Sequence, residues 1–177
     1  TVYHLAAIVS VPVCQEKPVE SQQTNMMATM FVLDAIRAEM KRTGKPVRMA
    51  FAGSSVVYGG VAREGERCQE DSSMAWPLSY YGAQKLGSEH VIRLYNEHHG
   101  VPAVVYRFFN VFGPGQDPKS PYSGVISIFS AAIQEGRPLH LHGGGTQTRD
   151  FISVHDVSRA VAMAMDVPLD KCDGKAM

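Results

Sequence analysis

The sequence predicts an α/β fold in which a parallel sheet is covered on both faces. Two observations predict it. Short apolar runs of strand length alternate with longer stretches of helical period, and no tight hairpin joins one strand to the next. Strands that alternate with helices pair in parallel, because each helix carries the chain back across the sheet. The first run, "VYHLAA" (2–7), reads as a strand. A helix follows from about Thr24 to Arg42, where Asn25, Met26, Ala28, Thr29, Val32, Leu33 and Ile36 stand at helical spacing, and "TGKP" ends it. "VRMAFAGSS" (47–55) is the next strand, followed by a polar loop rich in Gly, Glu and Arg. A second helix runs from about Tyr80 to Glu97 and is closed by "HHG"; "PAVVYRFF" (102–109) is a buried strand leading into the turn "NVFGPGQDPKSPYSG". A helix near Val125 to Gln134, a short strand "LHLHG" (139–143) and a helix from His155 to Met165 complete the pattern.

Composition narrows the function classes. The 177 residues are 45% hydrophobic and 19% charged, enough for a sizeable core. Lys+Arg of 17 against Asp+Glu of 17 leaves no net field, so neither nucleic acid nor an anionic membrane is an expected partner. An anionic ligand must then be held by local groups. Cys14, Cys68 and Cys172 are odd in number, far apart and without a Cys-x-x-Cys, which argues against a disulfide framework or a zinc site and for a reducing, cytoplasmic setting. No apolar run has the length of a membrane span. His140 and His142 alternate on the "LHLHG" run, but two histidines without a third ligand read as a solvated face, so no metal is expected.

In open parallel sheets ligands bind beyond the carboxyl ends of the strands. The residues just past each strand, Ala6-Ala7, Ser54-Ser55 and Phe109-Asn110, are therefore expected to border one crevice. In "YYGAQK", Tyr81 and Lys85 are four apart and share a helix face. A phenol is a poor base at neutral pH, and a fixed cation beside it favours its ionised form, so the lysine is expected to lower the tyrosine's pKa. Such a tyrosine can take a proton from a substrate hydroxyl as hydride leaves the same carbon. Tyr-x-x-x-Lys is also common on ordinary amphipathic helices, so the pair needs context. Ser54, at the end of the preceding strand, supplies a hydroxyl that can orient or relay the proton, although Ser and Gly are also ordinary strand-terminating residues. The adjacent Tyr80 has Gln84 four residues on, so only Tyr81 has the lysine partner.

Taken in order, "HLAA", "SSVVYGG", "YGAQK", "RFFNVFGPGQDP" and "TRDFISVHDVSRAV" resemble the extended short-chain dehydrogenase/reductases, specifically the NAD-dependent sugar-nucleotide epimerase/dehydratase group with its UDP-hexose epimerases. The resemblance implies a Rossmann-like doubly wound sheet and NAD as cofactor. It implies a nucleotide-sugar substrate and a homodimer formed by the helices starting near Thr24 and Tyr80. Ser54, Tyr81 and Lys85 match the family's catalytic Ser/Thr, Tyr and Lys, and Lys85 would also bond the nicotinamide ribose. Ala6 and Ala7 match the turn passing along the cofactor, Asn25 a helix-start asparagine near it, and Phe108 a position beside the nicotinamide. Asn110 and Arg149 match residues that hold the diphosphate, a task suited to the planar fork of arginine. Val125 falls in the segment near the uracil. Plainer roles compete for several of these: a helix cap for Asn25, a core aromatic for Phe108, a salt bridge to Asp150 for Arg149 and helix core for Val125.

Two departures shape the expected reaction. Sugar 4,6-dehydratases of this group carry Asp-Glu directly after the Ser/Thr, whereas this chain has Ser55 and Val56. A valine cannot act as a general base, so C4 epimerisation of a UDP-hexose through transient oxidation is the expected activity. The "YGAQK" variant also occurs in oxidoreductase branches, which keeps a dehydrogenase or reductase as the alternative. The family's opening strand, Gly-x-x-Gly-x-x-Gly turn and helix, which cradle the pyrophosphate, have no match in this sequence. The sheet is thus expected to be incomplete at both ends, lacking its first βαβ unit and the strand that should follow "DGKAM". Residues 1–110 are expected to be the C-terminal part of the NAD-binding Rossmann domain. Residues 111–177 would begin the substrate-binding region, interleaved with the last Rossmann elements. A non-catalytic dimerising module is the reading left if half the cofactor site is missing.

Overall fold

The computed structural model describes residues 1–60, 67–71, 75–120 and 122–176. The chain divides into two compact units, one of residues 1–107 and 161–177, the other of residues 108–160.

In the larger unit, β1 (Val2–His4) leads through a short loop to α1 (Val11–Glu16), α2 (Pro18–Gln22), a π-helical turn (Gln23–Met27) and α3 (Ala28–Thr43). Ser10 caps α1, its hydroxyl accepting from the Val13 amide at 3.3 Å, and Gly44 ends α3 in the left-handed conformation with φ 67°. Then come β2 (Met49–Ser54), a 3-10 turn (Ser55–Tyr58) and α4 (Tyr80–His99). Ser79 caps α4 by accepting from the Gly82 amide at 3.1 Å. β3 (Ala103–Phe108) follows. At its far end the chain re-enters this unit in the last turn of α6 (Val154–Met163), whose residues 154–160 belong to the smaller unit, and leads to β6 (Asp173–Ala176). The sheet order is β1-β2-β3-β6, with β1 parallel to β2 and β3 parallel to β6.

Side chains alternate across each strand, and here both faces are covered. Met49, Phe51, Ala103 and Val105 point to one side, where Leu33 and Ile36 of α3 and Ile92 of α4 meet them. Ala50 and Val104 point to the other, against Ala164 and Cys172. The sheet is therefore doubly wound, as expected. Each large core residue stabilises the fold by roughly 1.5–3 kcal/mol through burial.

In the smaller unit, β4 (Asn110–Phe112) pairs in parallel with β5 (Phe151–Ser153), and α5 (Val125–Gln134) and a 3-10 turn (His142–Gly145) lie between them in the chain.

Four expectations need correction. The strand "VYHLAA" ends at His4, so Ala6 and Ala7 lie in the loop beyond it. The helix expected from Thr24 starts earlier, because Pro18 is pre-set for a first helical turn, and α1 precedes it. No strand forms over 139–143, where glycines 143, 144 and 145 carry positive φ and turn the backbone instead. The "NVF" start of the expected turn and the "FIS" run are short strands that pair with each other. In addition, the "DGKA" segment itself forms β6 beside β3, a strand the apolar pattern does not announce. The polar loop after β2 lies partly outside the described residues.

Candidate active site

Three of the expected residues converge at the carboxyl end of β2. Ser54 is the last residue of the strand and caps the following 3-10 turn, its hydroxyl accepting from the Val56 amide at 3.3 Å. That same hydroxyl hydrogen-bonds the Tyr81 phenol from the first turn of α4. Tyr81 is 8% exposed and Tyr80 is 49% exposed, so burial separates the two adjacent tyrosines as the spacing did. Gly82 allows this approach: a Cβ there would sit 2.8 Å from Pro77 and 3.3 Å from the Val56 carbonyl.

Lys85 lies one turn further along α4, 3% exposed, and its Nζ donates to the Ala52 carbonyl at 2.8 Å. The ammonium stands 4.7 Å from the centroid of the Phe51 ring and 5.9 Å from that of Tyr81. Burial pushes the Lys85 amine down to about 8, with Glu89 pulling the other way. Burial pushes the Tyr81 phenol above its ordinary 10, and only the Ser54 hydrogen bond opposes it among side chains. The expected lowering of Tyr81 by Lys85 is therefore absent from this state. The same desolvation that raises the phenol also weakens the charge on the lysine.

Asn25 sits in the π turn, 2% exposed. Its Oδ1 accepts from the Ile8 amide at 2.8 Å, and its Nδ2 donates to the Ile8 carbonyl at 3.0 Å and to Gln84 Oε1 at 2.7 Å. Gln84 Nε2 in turn donates to Ser21 Oγ at 2.8 Å. Asn25 thus pins the loop that carries Ala6 and Ala7, and it is braced from α4. That loop leaves β1 beside β2, at the sheet edge where Ser54 ends its strand. His4 pairs with Phe51 in register and its Nε2 is 3.0 Å from Thr29 Oγ1. Burial first, then the Lys85 charge, holds His4 below its ordinary 6.5.

Sequence reasoning missed what stands behind this cluster. Glu89, four residues after Lys85, is 7% exposed, and Arg107 of β3 grips its carboxylate with Nη2–Oε2 at 2.8 Å and Nε–Oε2 at 3.1 Å. Arg107 also stacks on the Tyr58 ring at 4.8 Å. The signals were an arginine inside the apolar run "AVVYRF" and an acid continuing the Tyr81–Lys85 helix face.

In the smaller unit, Val125 and Arg149 line one pocket of about 480 Å³ together with Phe129, Leu139 and Leu141. Asn110 Nδ2 donates to the Asp150 carbonyl at 2.7 Å, which sets it beside the strand that Arg149 precedes. The Arg149 guanidinium donates to the Thr148 carbonyl at 2.7 Å rather than to the Asp150 carboxylate. Phe108 is partly buried at the end of β3. Among the described residues, no group of three or more His, Cys, Asp or Glu is placed to hold a metal ion, and no helix is long and apolar enough to cross a membrane.

The model of the NAD dependent epimerase/dehydratase family matches residues 1–176. A putative UDP-glucose 4-epimerase of Methanocaldococcus jannaschii is 36% identical over 166 residues, covering 93% of this chain and 52% of that protein. The structure of a UDP-N-acetylglucosamine 4-epimerase from Methanobrevibacter ruminantium, in complex with UDP-N-acetylmuramic acid, superposes with a TM-score of 0.82 at 35% identity, over 93% of this chain and 51% of that one. The UDP-glucose 4-epimerase of Thermus thermophilus in complex with NAD gives a TM-score of 0.82 at 30% identity, over 99% and 54%. The chain spans about half the length of the relatives it matches.

Proposed function

The chain belongs to the NAD-dependent epimerase/dehydratase family, and from that membership we propose that it serves NAD-dependent epimerisation of a nucleotide sugar, at C4 of a UDP-hexose. The observation that carries this reading is the set formed by half-buried Ser54 and buried Tyr81 and Lys85 at the carboxyl end of β2. Its donor chemistry fits the nicotinamide-ribose end of NAD. A protonated lysine has three N–H donors, Ala52 takes one, and the others suit ribose hydroxyls. Ala6 and Ala7 would pass along the cofactor in the loop that Asn25 pins, so Asn25 acts through that loop, and Phe108 would stand beside the nicotinamide. When bound, with Lys85 at its nicotinamide ribose, NAD would supply reversible hydride transfer at the sugar carbon.

The protein's own part is proton handling. Tyr81, once it has lost its own proton to solvent, takes the proton of the sugar hydroxyl as a phenolate, and Ser54, already bonded to the phenol oxygen, orients that hydroxyl. The phenol is neutral at rest, so its reactive form depends on the Lys85 ammonium and Ser54 to hold the negative charge. Asn110 and Arg149 would hold the diphosphate, Arg149 by its two-pronged geometry, while Val125 packs against the uracil. With Val56 rather than a carboxylate after Ser55, elimination of water has no base at that position.

The test is to present NAD-loaded protein with UDP-, GDP- and dTDP-hexoses and follow the C4 configuration. Interconversion of a UDP-hexose pair without net NADH is expected; stoichiometric NADH would instead assign a dehydrogenase. Tyr81→Phe should lower turnover by roughly 10²–10⁴-fold with unchanged circular dichroism. Wild-type turnover in that variant would place the base elsewhere.

A further inference from the structure

Tyr81, Lys85 and Glu89 recur every four residues and so form one stripe on α4. The first two belong to the proposed chemistry; the third has no part in it. Glu89 is nonetheless almost fully buried, its side chain 8% exposed, and it is paired with an Arg107 side chain 11% exposed. A buried ion pair adds little net stability relative to apolar residues of the same shape, so its presence is not explained by stability alone.

Its position suggests what it acts on. A Cβ at Gly53 would lie 3.0 Å from Glu89 Oε1 and 2.7 Å from the Tyr106 carbonyl. The carboxylate therefore sits against the one residue of β2 between Ala52, whose carbonyl accepts from Lys85, and Ser54, whose hydroxyl bonds Tyr81. We infer that the Glu89–Arg107 pair is a positioning device for Lys85. The carboxylate keeps the buried ammonium charged and docked on Ala52, and Arg107 keeps the carboxylate aimed through its forked hydrogen bonds. The inference rests on the proposed role of Tyr81 and Lys85.

Among the described residues, the charged and titratable groups around Lys85 are few. His4 approaches from β1, Tyr81 and Glu89 from its own helix, and Arg107 from β3 behind Glu89. Glu89 is the anion of this set, and it opposes the burial that drives the amine down. Glu89→Gln removes that anion and leaves the Arg107 cation behind. Glu89→Gln/Arg107→Met removes both charges and leaves no buried ion of the pair unmatched.

The experiment is an NMR titration of protein labelled at lysine Cε, with the Lys85 signal assigned by its loss in Lys85→Met. The midpoint of Lys85 should fall in the order wild type, double variant, Glu89→Gln, the last lower than wild type by about one pH unit or more. Glu89→Asp, which keeps the charge, should restore most of the shift. The alkaline limb of the pH–turnover profile should move by the same interval in each variant. An unchanged Lys85 midpoint in the double variant would overturn the inference and leave the pair purely structural. If Glu89→Gln does not fold, the double variant alone decides. Shifted midpoints in a protein that turns over no nucleotide sugar would sink the proposed function and leave this inference standing; active wild type with unmoved midpoints would do the reverse.

Discussion

At the scale of single residues, burial decides the chemistry more than spacing does. Tyr81 and Lys85 share a helix face, yet each is pushed toward its neutral form because both lie out of water. The sign for stability follows from proton counts. Between about 8 and the ordinary 10.5 of a lysine, the unfolded chain binds a proton at position 85 that the folded chain does not. Stability therefore gains from Lys85 as pH rises through this window, and the full penalty of burying the ammonium is present below it. Above pH 10 the raised Tyr81 phenol works in the opposite sense, so the clean interval is pH 8–10. Urea midpoints measured across it should climb more steeply in wild type than in Lys85→Met. His4 adds a second sign. Held below 6.5, it must take up a proton on unfolding in mild acid, so stability should fall as pH drops below 6.5, and less so in His4→Gln.

At the scale of elements, the site depends on close approaches that larger side chains would prevent. Gly53 lets β2 lie against the Tyr106 carbonyl and the Glu89 carboxylate. Gly53→Ala should destabilise the protein by about 1–3 kcal/mol, read as a lowered denaturant midpoint with unchanged slope. The loop between β1 and α1 is held differently, by one asparagine that satisfies both backbone groups of Ile8. Asn25→Ala leaves those groups without that partner and should cost about 1–3 kcal/mol. Amide exchange at Ile8 should accelerate by more than exchange in β2, since the loop loses its clamp while the sheet keeps its ladder. Equal acceleration at both places would mean the asparagine supports the whole unit rather than the loop.

At the scale of the whole molecule, the outer faces of the helices carry apolar residues that the chain's own core does not use. Phe31 of α3 is 67% exposed and Leu94 of α4 is 41% exposed. These are the helices through which a homodimer is proposed, and Phe31→Glu should shift the protein to monomer in sedimentation while leaving its circular dichroism unchanged. Most of the sheet was legible in the sequence, because strands buried on both faces read as continuous apolar runs and Leu33, Ile36 and Ile92 repeat at helical spacing. The short pairing of β4 with β5 was not legible, since three-residue strands carry too little periodicity. Nor was β6, whose "DGKA" has almost no apolar signal and is a strand only because β3 offers it an edge. The same division holds at the site. Local spacing by itself determined that Tyr81 and Lys85 share a face, and the order of motifs determined the family. Only the tertiary structure decided that burial loosens the lysine's hold on its proton, that Asn25 grips a loop, and that Glu89 and Arg107 meet behind Gly53. Desolvation and ion pairing depend on what surrounds a group in space, and those neighbours come from strands and helices far apart in the chain.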